Sequence, residues 1–116
     1  MYSNPPLYGA RVVHAVLSDD ALKAQWYGEC KGMADRIIEM RQLLVDNLAA
    51  AGSTKDWSHI TSQIGMFAYS GMSKEQVESL RYDHAIYMTG DGRISMAGVT
   101  SANVARLAEC MVAVTE

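Results

Sequence analysis

Arg93 is the residue whose type and position in this sequence most directly suggest chemistry. It follows Gly90-Asp91-Gly92, which predicts a tight turn, and it precedes a short apolar run. A guanidinium is a planar fork that forms two parallel hydrogen bonds with a carboxylate or a phosphate. The alternative is an ordinary arginine at a strand end, whose charged head group extends into water. The residues alone leave both interpretations open.

Other residues able to act as nucleophiles, bases or ligands show no arrangement typical of a catalytic triad. His14, His59 and His84 are scattered without the spacing of metal ligands, so we expect no metal site. Cys30 and Cys110 also lack metal-site spacing, and they lie far apart on apolar helical stretches. We expect no disulfide between them and a reducing compartment.

Aromatic side chains and the first residues of the chain have simple structural explanations. Phe67, Trp26 and Trp57 are expected to pack in a core, although Phe67 could instead form the wall of a ligand site. Ser3 and Asn4 lie at the very terminus, where residues are usually frayed.

The bulk composition limits the class of protein. The chain has 116 residues, of which 49% are hydrophobic and 20% charged, the balance of one globular domain. Its net charge of −3 argues against a nucleic-acid partner, which requires a basic surface. No apolar run approaches the length of a membrane span, and the first residues do not resemble a signal peptide, so we expect no membrane partner.

Two helices are predicted in the first half of the chain. One covers Leu7 to Leu17, and a second begins at Ser18-Asp19-Asp20 with a hydroxyl cap and ends at Ala51-Gly52. Seven apolar residues recur at helical spacing along one face of the second helix: Trp26, Cys30, Met33, Ile37, Met40, Leu44 and Leu48. Its length of about 50 Å exceeds the diameter of a domain this size, roughly 25–30 Å. Such a helix normally bridges two domains or contacts another subunit.

Short strands and helices alternate in the second half. Ile64 to Tyr69 predicts a strand, and Ser73 and Gln76 form a capping box that begins a helix ending near Tyr82.

The remaining residues predict a hairpin and a final helix. Ala85 to Thr89 and Arg93 to Ala97 are expected to pair across the glycine turn, with Arg93 and Ser95 on one face. The last helix starts at Thr100-Ser101 and presents four apolar residues at helical spacing, Val104, Leu107, Ala108 and Met111. The predicted fold class is α+β, with long N-terminal helices and a small sheet covered by helices.

Four segments together resemble the C-terminal portion of the aspartate aminotransferases. They are YSNPPLYGARVV, GMADRIIEMR, HITSQIGMF and DGRISMAGVT. This family belongs to the class I aminotransferases, pyridoxal-phosphate enzymes of fold type I. The order and separation of SNPP, SQIGMF and GRI-x-M-x-G make the resemblance specific, and it covers essentially the whole chain.

The resemblance implies a domain division and several site residues. Residues 1–17 would be the end of a large domain, and residues 18–116 a small C-terminal domain that includes the long interdomain helix. Arg93 would bind the α-carboxylate of a dicarboxylic amino acid or keto acid, and Phe67 would lie near the substrate. Ser3 and Asn4 would belong to a loop that reaches the active site of the neighbouring subunit in a homodimer.

The resemblance also implies that most of the catalytic apparatus lies upstream of this segment. The complete enzyme would transfer an amino group between aspartate and 2-oxoglutarate through pyridoxal phosphate, in the cytoplasm or the mitochondrion. None of the lysines has the strand-end setting of a cofactor lysine. We therefore expect no catalytic residue in this chain, no covalently bound cofactor and no activity of the chain alone. Its partner would be the missing N-terminal part or another copy. The alternative is a non-enzymatic α+β module with Arg93 as an anion anchor.

Overall fold

A computed structural model describes residues 5–116, which form five α-helices, one 3₁₀ turn and a two-stranded sheet. The elements in chain order are α1 (Leu7–Ser18), α2 (Asp20–Ala50), α3 (Ser58–Ser62), β1 (Phe67–Tyr69), α4 (Lys74–His84), β2 (Arg93–Ser95), the 3₁₀ turn (Met96–Gly98) and α5 (Val104–Thr115). This arrangement confirms the predicted α+β class. The chain divides into two compact units, a first that ends at Asp35 and a second of Arg36–Glu116.

The first unit contains α1 and the beginning of α2. The boundary between these helices is set by Asp19, whose Oδ1 accepts the backbone N–H groups of Ala21 and Leu22 at 2.9 and 3.0 Å. Ser18 is the predicted hydroxyl cap, but its Oγ instead lies 3.0 Å from Nδ1 of His14. That expectation is wrong because the carboxylate, one residue further on, satisfies two of the helix's free N–H groups at once.

Helix α2 has the predicted length, but only part of its apolar face is buried. Met40, Leu44 and Leu48 are buried, whereas Trp26 is 43% exposed and Met33 62% exposed. The expectation that Trp26 is a core residue is therefore wrong. Two helices alone cannot enclose a core, so the apolar side chains of the first unit remain at its surface.

The second unit has one hydrophobic core to which every element contributes. Its buried apolar residues are Met40, Leu44, Leu48, Trp57, Ile60, Ala68, Met72, Val77, Leu80, Ile94, Met96, Val99, Val104, Ala108 and Met111. Helix α4 packs against α5. The predicted capping box is confirmed, since Ser73 Oγ accepts the Gln76 N–H at 3.3 Å and Gln76 Oε1 accepts the Ser73 N–H at 2.8 Å.

The sheet pairs β1 with β2 in antiparallel fashion. The partners are Phe67 with Ser95, Ala68 with Ile94, and Tyr69 with Arg93. Ala68 and Ile94 are buried on one face, and the other residues of both strands are exposed. The predicted alternation along β2 is confirmed, and it puts Arg93 on the exposed face.

The predicted hairpin between residues 85–89 and 93–97 is wrong. Ala85 adopts a left-handed conformation (φ 54°) that ends α4, and the following N–H, that of Ile86, returns to Leu80 O at 2.9 Å. The segment then makes a single backbone bond to β2, from Thr89 N–H to Arg93 O at 3.3 Å. The first two residues of the expected strand, Ala85 and Ile86, thus form the C-terminal cap of α4, and β2 pairs with β1 instead.

Two other strands are shorter than predicted. The strand expected from residue 64 begins at Phe67, because Gly65 has a positive φ of 95° and interrupts the extended backbone. The strand expected to reach Ala97 ends at Ser95, where the 3₁₀ turn begins. Within residues 5–116, no helix combines the length and the apolar character that a membrane crossing requires.

Candidate functional site

An open groove on the exposed face of the sheet contains Arg93. It has a volume of about 340 Å³, and its lining residues are Phe67, Tyr87, Met88, Thr89, Arg93 and Ser95. The two strands supply Phe67, Arg93 and Ser95, and the segment that leads into the glycine turn supplies the rest. The groove therefore brings together two of the predicted site residues, Arg93 and Phe67.

The Arg93 guanidinium lies over the ring of Phe67. Its central carbon is 4.9 Å from the ring centroid, within the range of a cation–π interaction. Phe67 and Arg93 are diagonal neighbours across the two strands, a relationship that allows long side chains to touch. The Phe67 side chain is 43% exposed, so its interpretation as a core residue is wrong and it forms one wall of the groove.

Among residues 5–116, no carboxylate oxygen lies within 4.0 Å of the Arg93 guanidinium, and its N–H groups donate to no protein acceptor. The two ion pairs of this part of the chain are Lys31 with Asp35 and Lys74 with Glu78. The planar fork is thus held against an aromatic ring on one side while its hydrogen-bonding edge is available to an anion.

The turn before Arg93 is fixed by Asp91. Its Oδ1 accepts the hydroxyl of Thr89 at 2.5 Å and the backbone N–H of Arg93 at 3.3 Å. The Thr89 hydroxyl, followed by the Arg93 N–H and more weakly by the guanidinium charge, holds the pKa of Asp91 below its usual value. Asp91 therefore remains ionised at neutral pH and positions the main chain of Arg93.

Gly92 is required in this turn for two reasons. Its φ of 87° lies in the region that favours glycine, and a Cβ at this position would lie 3.0 Å from Ser70 Oγ and 3.1 Å from Met72 O. The close approach allows Ser70 to donate its N–H and its Oγ–H to the carbonyl of Gly92, at 2.9 and 2.5 Å. The turn is therefore tied to the end of β1.

None of the four lysines is among the residues that line this groove, and each has a local partner. The Nζ of Lys23 lies 6.0 Å from the ring of Tyr27, and Lys31 and Lys74 face acids on their own helices. Lys55 donates to the carbonyl of Thr115. The residues that line the groove therefore include no amine to which an aldehyde cofactor could be attached.

The sequence did not predict two residues whose side chains bond to the backbone of β1, the strand that supplies Phe67. Arg41, on α2, is 3% exposed and donates to three backbone carbonyls, and Gln63 bonds to both main-chain groups of Tyr69. The signal for Arg41 was available, because the residue lies at helical spacing between Ile37 and Leu44 on the apolar face. The predicted residues Ser3 and Asn4 lie outside the described residues. No group of three or more His, Cys, Asp or Glu within residues 5–116 is arranged to hold a metal ion.

Comparisons with known proteins agree on one family. The sequence model of "Aminotransferase class I and II" matches residues 1–111. The mitochondrial aspartate aminotransferase of Dictyostelium discoideum is 58% identical over 100% of this chain and 27% of its own length. A mitochondrial aspartate aminotransferase from Trypanosoma brucei superimposes with a TM-score of 0.97 at 50% identity, over 100% of this chain and 30% of its own.

A third relative carries a cofactor. The aromatic-amino-acid aminotransferase from Burkholderia pseudomallei, solved covalently bound to pyridoxal phosphate, has a TM-score of 0.97 at 43% identity, over 99% of this chain and 29% of its own. The chain thus spans less than a third of the length of the relatives it matches.

Replacing Thr89 by Val is expected to raise the pKa of Asp91 toward its ordinary value, because the largest cause of its lowering is the Thr89 hydroxyl. An acid whose pKa is lowered by folding stabilises the turn above its unfolded pKa of about 4, and this contribution is lost as the pH falls through the folded pKa. Titration of the Asp91 carboxyl carbon by NMR measures the effect. Thr89→Ser, which keeps the hydroxyl, is the control. Equal pKa values in the Val and Ser variants would contradict the assignment.

Proposed function

The chain belongs to the class I and II aminotransferases, and we propose that it forms the C-terminal part of an aspartate aminotransferase. The identity of 58% to the Dictyostelium enzyme supports this choice within the family. The complete enzyme would exchange an amino group between aspartate and 2-oxoglutarate and would act as a homodimer. The proposed compartment is the cytoplasm or the mitochondrion, the latter being the compartment named for that relative.

We propose that Arg93 binds the α-carboxylate of the amino acid or keto acid substrate. The observation that carries this proposal is a guanidinium that faces an open groove and has no partner among residues 5–116. Two parallel N–H···O bonds would fix both the position and the plane of the carboxylate. Because the carboxylate carbon is bonded to Cα, the fork would orient the Cα–H bond that must be broken.

Phe67 and Asp91 would prepare Arg93 for this role. The Phe67 ring lies against one face of the guanidinium and limits its rotation and its contact with water on that side. Asp91 holds the main chain of Arg93 but lies too far from its guanidinium for an ion pair, so it leaves the positive charge available to the substrate. The groove would thus be complementary to a carboxylate before the substrate arrives.

In the complete enzyme, this segment would bind the substrate and other segments would hold the cofactor. Pyridoxal phosphate would supply the electron sink for the reaction. The cofactor amine would come from outside this segment, so this segment contributes substrate binding and no catalytic group. Residues 1–17 are proposed to complete a large domain and residues 18–116 to form the small domain. Ser3 and Asn4 are proposed to approach the active site of the other subunit.

In the complete enzyme, Arg93→Ala is expected to lower kcat/KM for aspartate and 2-oxoglutarate by roughly a hundredfold or more. A charge-assisted hydrogen bond contributes about 1.5–3 kcal/mol, and the fork makes two. Arg93→Lys should recover little, because an ammonium cannot reproduce the planar pair of donors. Steady-state kinetics with both substrates measures the effect.

Arg81→Ala is the matched control for this substitution. Arg81 is also exposed and also lies over an aromatic ring, that of Tyr82, but it is on α4 and does not line the groove. The kcat/KM of the Arg81→Ala enzyme should stay within about twofold of that of the parent enzyme. A value for Arg93→Ala as high as that for Arg81→Ala would refute the assigned role.

The 116-residue chain alone is expected to form no covalent adduct with pyridoxal phosphate at a single site. All four lysines lie outside the groove, so added cofactor should react only weakly and at several of them. The measurement is borohydride reduction followed by peptide mass spectrometry. Stoichiometric labelling of one lysine, accompanied by amino-group transfer from aspartate, would overturn this prediction.

The chain alone is also expected to associate through the apolar side chains of its first unit. Leu7, Val13 and Leu22 are 59%, 56% and 45% exposed. Covering several such side chains stabilises a complex by about 25 cal/mol for each Å² removed from water, a sum comparable with the stability of a small domain. Light scattering should therefore detect an oligomer when the chain is alone, or a complex when the upstream part of the enzyme is present. A monodisperse monomer whose α1 resists proteolysis would contradict this expectation.

A further inference from the structure

The outer edge of β1 consists of the main-chain groups that face away from β2. The Met96 N–H donates to Met66 O at 2.8 Å and the Ser70 N–H donates to Gly92 O at 2.9 Å, so the main-chain groups of residues 66 and 70 face β2. In an antiparallel ladder the main-chain groups of successive residues point alternately toward and away from the partner strand. The N–H and C=O groups of Phe67 and Tyr69 therefore face away from β2. Because the sheet formed within residues 5–116 has two strands, these groups require other partners or water.

Arg41 satisfies the outward-facing carbonyl of Phe67. Its Nη2 donates to Phe67 O and Gly65 O, both at 2.7 Å, and its Nη1 donates to Ile60 O at 2.8 Å. The side chain is 3% exposed, and no carboxylate lies within 4.0 Å of it among residues 5–116. One buried guanidinium therefore joins α2, the end of α3 and the backbone of β1.

Gln63 satisfies both main-chain groups of Tyr69. Its Oε1 accepts the Tyr69 N–H at 2.7 Å, and its Nε2 donates to Tyr69 O at 3.1 Å. A side-chain amide offers one acceptor beside one donor, the pair that the peptide group of a neighbouring strand would offer. The two side chains together bond to three of the four outward-facing main-chain groups of Phe67 and Tyr69, as a third strand would.

We propose that Arg41 and Gln63 are positioning residues that replace a third strand and thereby hold Phe67 and the Arg93 guanidinium in the orientation that binds the substrate carboxylate. The proposal rests on the proposed function of Arg93. β1 has only three residues, and the Phe67 side chain is half exposed, so packing alone constrains it weakly. The direction of its Cα–Cβ bond is set by the backbone, and Arg41 anchors that backbone at Phe67 itself.

The test compares Arg41→Met with Arg36→Met in the complete enzyme. Arg36 lies on the same helix and also donates to a backbone carbonyl, Val99 O at 2.9 Å, which belongs to neither strand. Arg41→Met should raise the KM for 2-oxoglutarate about tenfold, because a misplaced guanidinium binds the α-carboxylate of the substrate less tightly. Arg36→Met should leave KM within about twofold.

Hydrogen exchange gives a second measurement that does not depend on activity. The amides of residues 66–70 should exchange about tenfold faster in Arg41→Met than in the parent enzyme, and at the parent rate in Arg36→Met. Arg41→Lys and Gln63→Glu are milder changes that keep part of the bonding. Each should raise KM by less than Arg41→Met, and they serve as the test should Arg41→Met fail to fold.

Two results would overturn the positioning role. One is faster exchange in Arg41→Met, Arg41→Lys or Gln63→Glu with KM unchanged. The other is an equal rise in KM for the Arg41 and Arg36 variants. Failure of the proposed function has a different signature: Arg93→Ala would retain full kcat/KM while the exchange of residues 66–70 still responds to Arg41.

Discussion

The antiparallel pairing of β1 with β2 determines where the groove residues lie. Its register sets Tyr69 opposite Arg93 and makes Phe67 the diagonal neighbour of that arginine, so the aromatic ring and the guanidinium meet on one face. The same register buries Ala68 and Ile94 against the core on the other face. A shift of one residue would reverse both faces and bury the charge. The burial of the apolar residues therefore also fixes the exposure of the arginine.

Much of the helical structure could be predicted because its signals are local. The capping box at Ser73 and Gln76, the glycine after α2 and the spacing of Met40, Leu44 and Leu48 each depend on residues a few positions apart. Helix periodicity also predicted a long α2 correctly. It could not predict which part of that helix is buried, because burial depends on what packs against it. Periodic apolar residues before Asp35 remain exposed in a chain that spans less than a third of its relatives.

The sheet and the groove were harder to predict because they depend on residues distant in sequence. Residues 85–89 have the composition of a strand, but β2 pairs with residues 67–69 instead. That choice is supported by Arg41 on α2, which bonds to the outer-edge carbonyl of Phe67, and by Gln63 after α3, which bonds to both main-chain groups of Tyr69. Strand propensity contains no information about such side-chain partners. Arg93 could be identified from the sequence as an anion-binding candidate, whereas its contact with Phe67 required the register.

We propose that the Arg93 guanidinium is the carboxylate anchor of an aspartate aminotransferase. This role is tested most directly by a crystal structure of the complete enzyme with a dicarboxylate inhibitor bound in place of the substrate. We expect two parallel N–H···O bonds of about 2.7–2.9 Å between Arg93 and one inhibitor carboxylate, with the Phe67 ring still against the guanidinium. An inhibitor bound at the active site with both carboxylates held by other residues, and Arg93 directed into solvent, would contradict it.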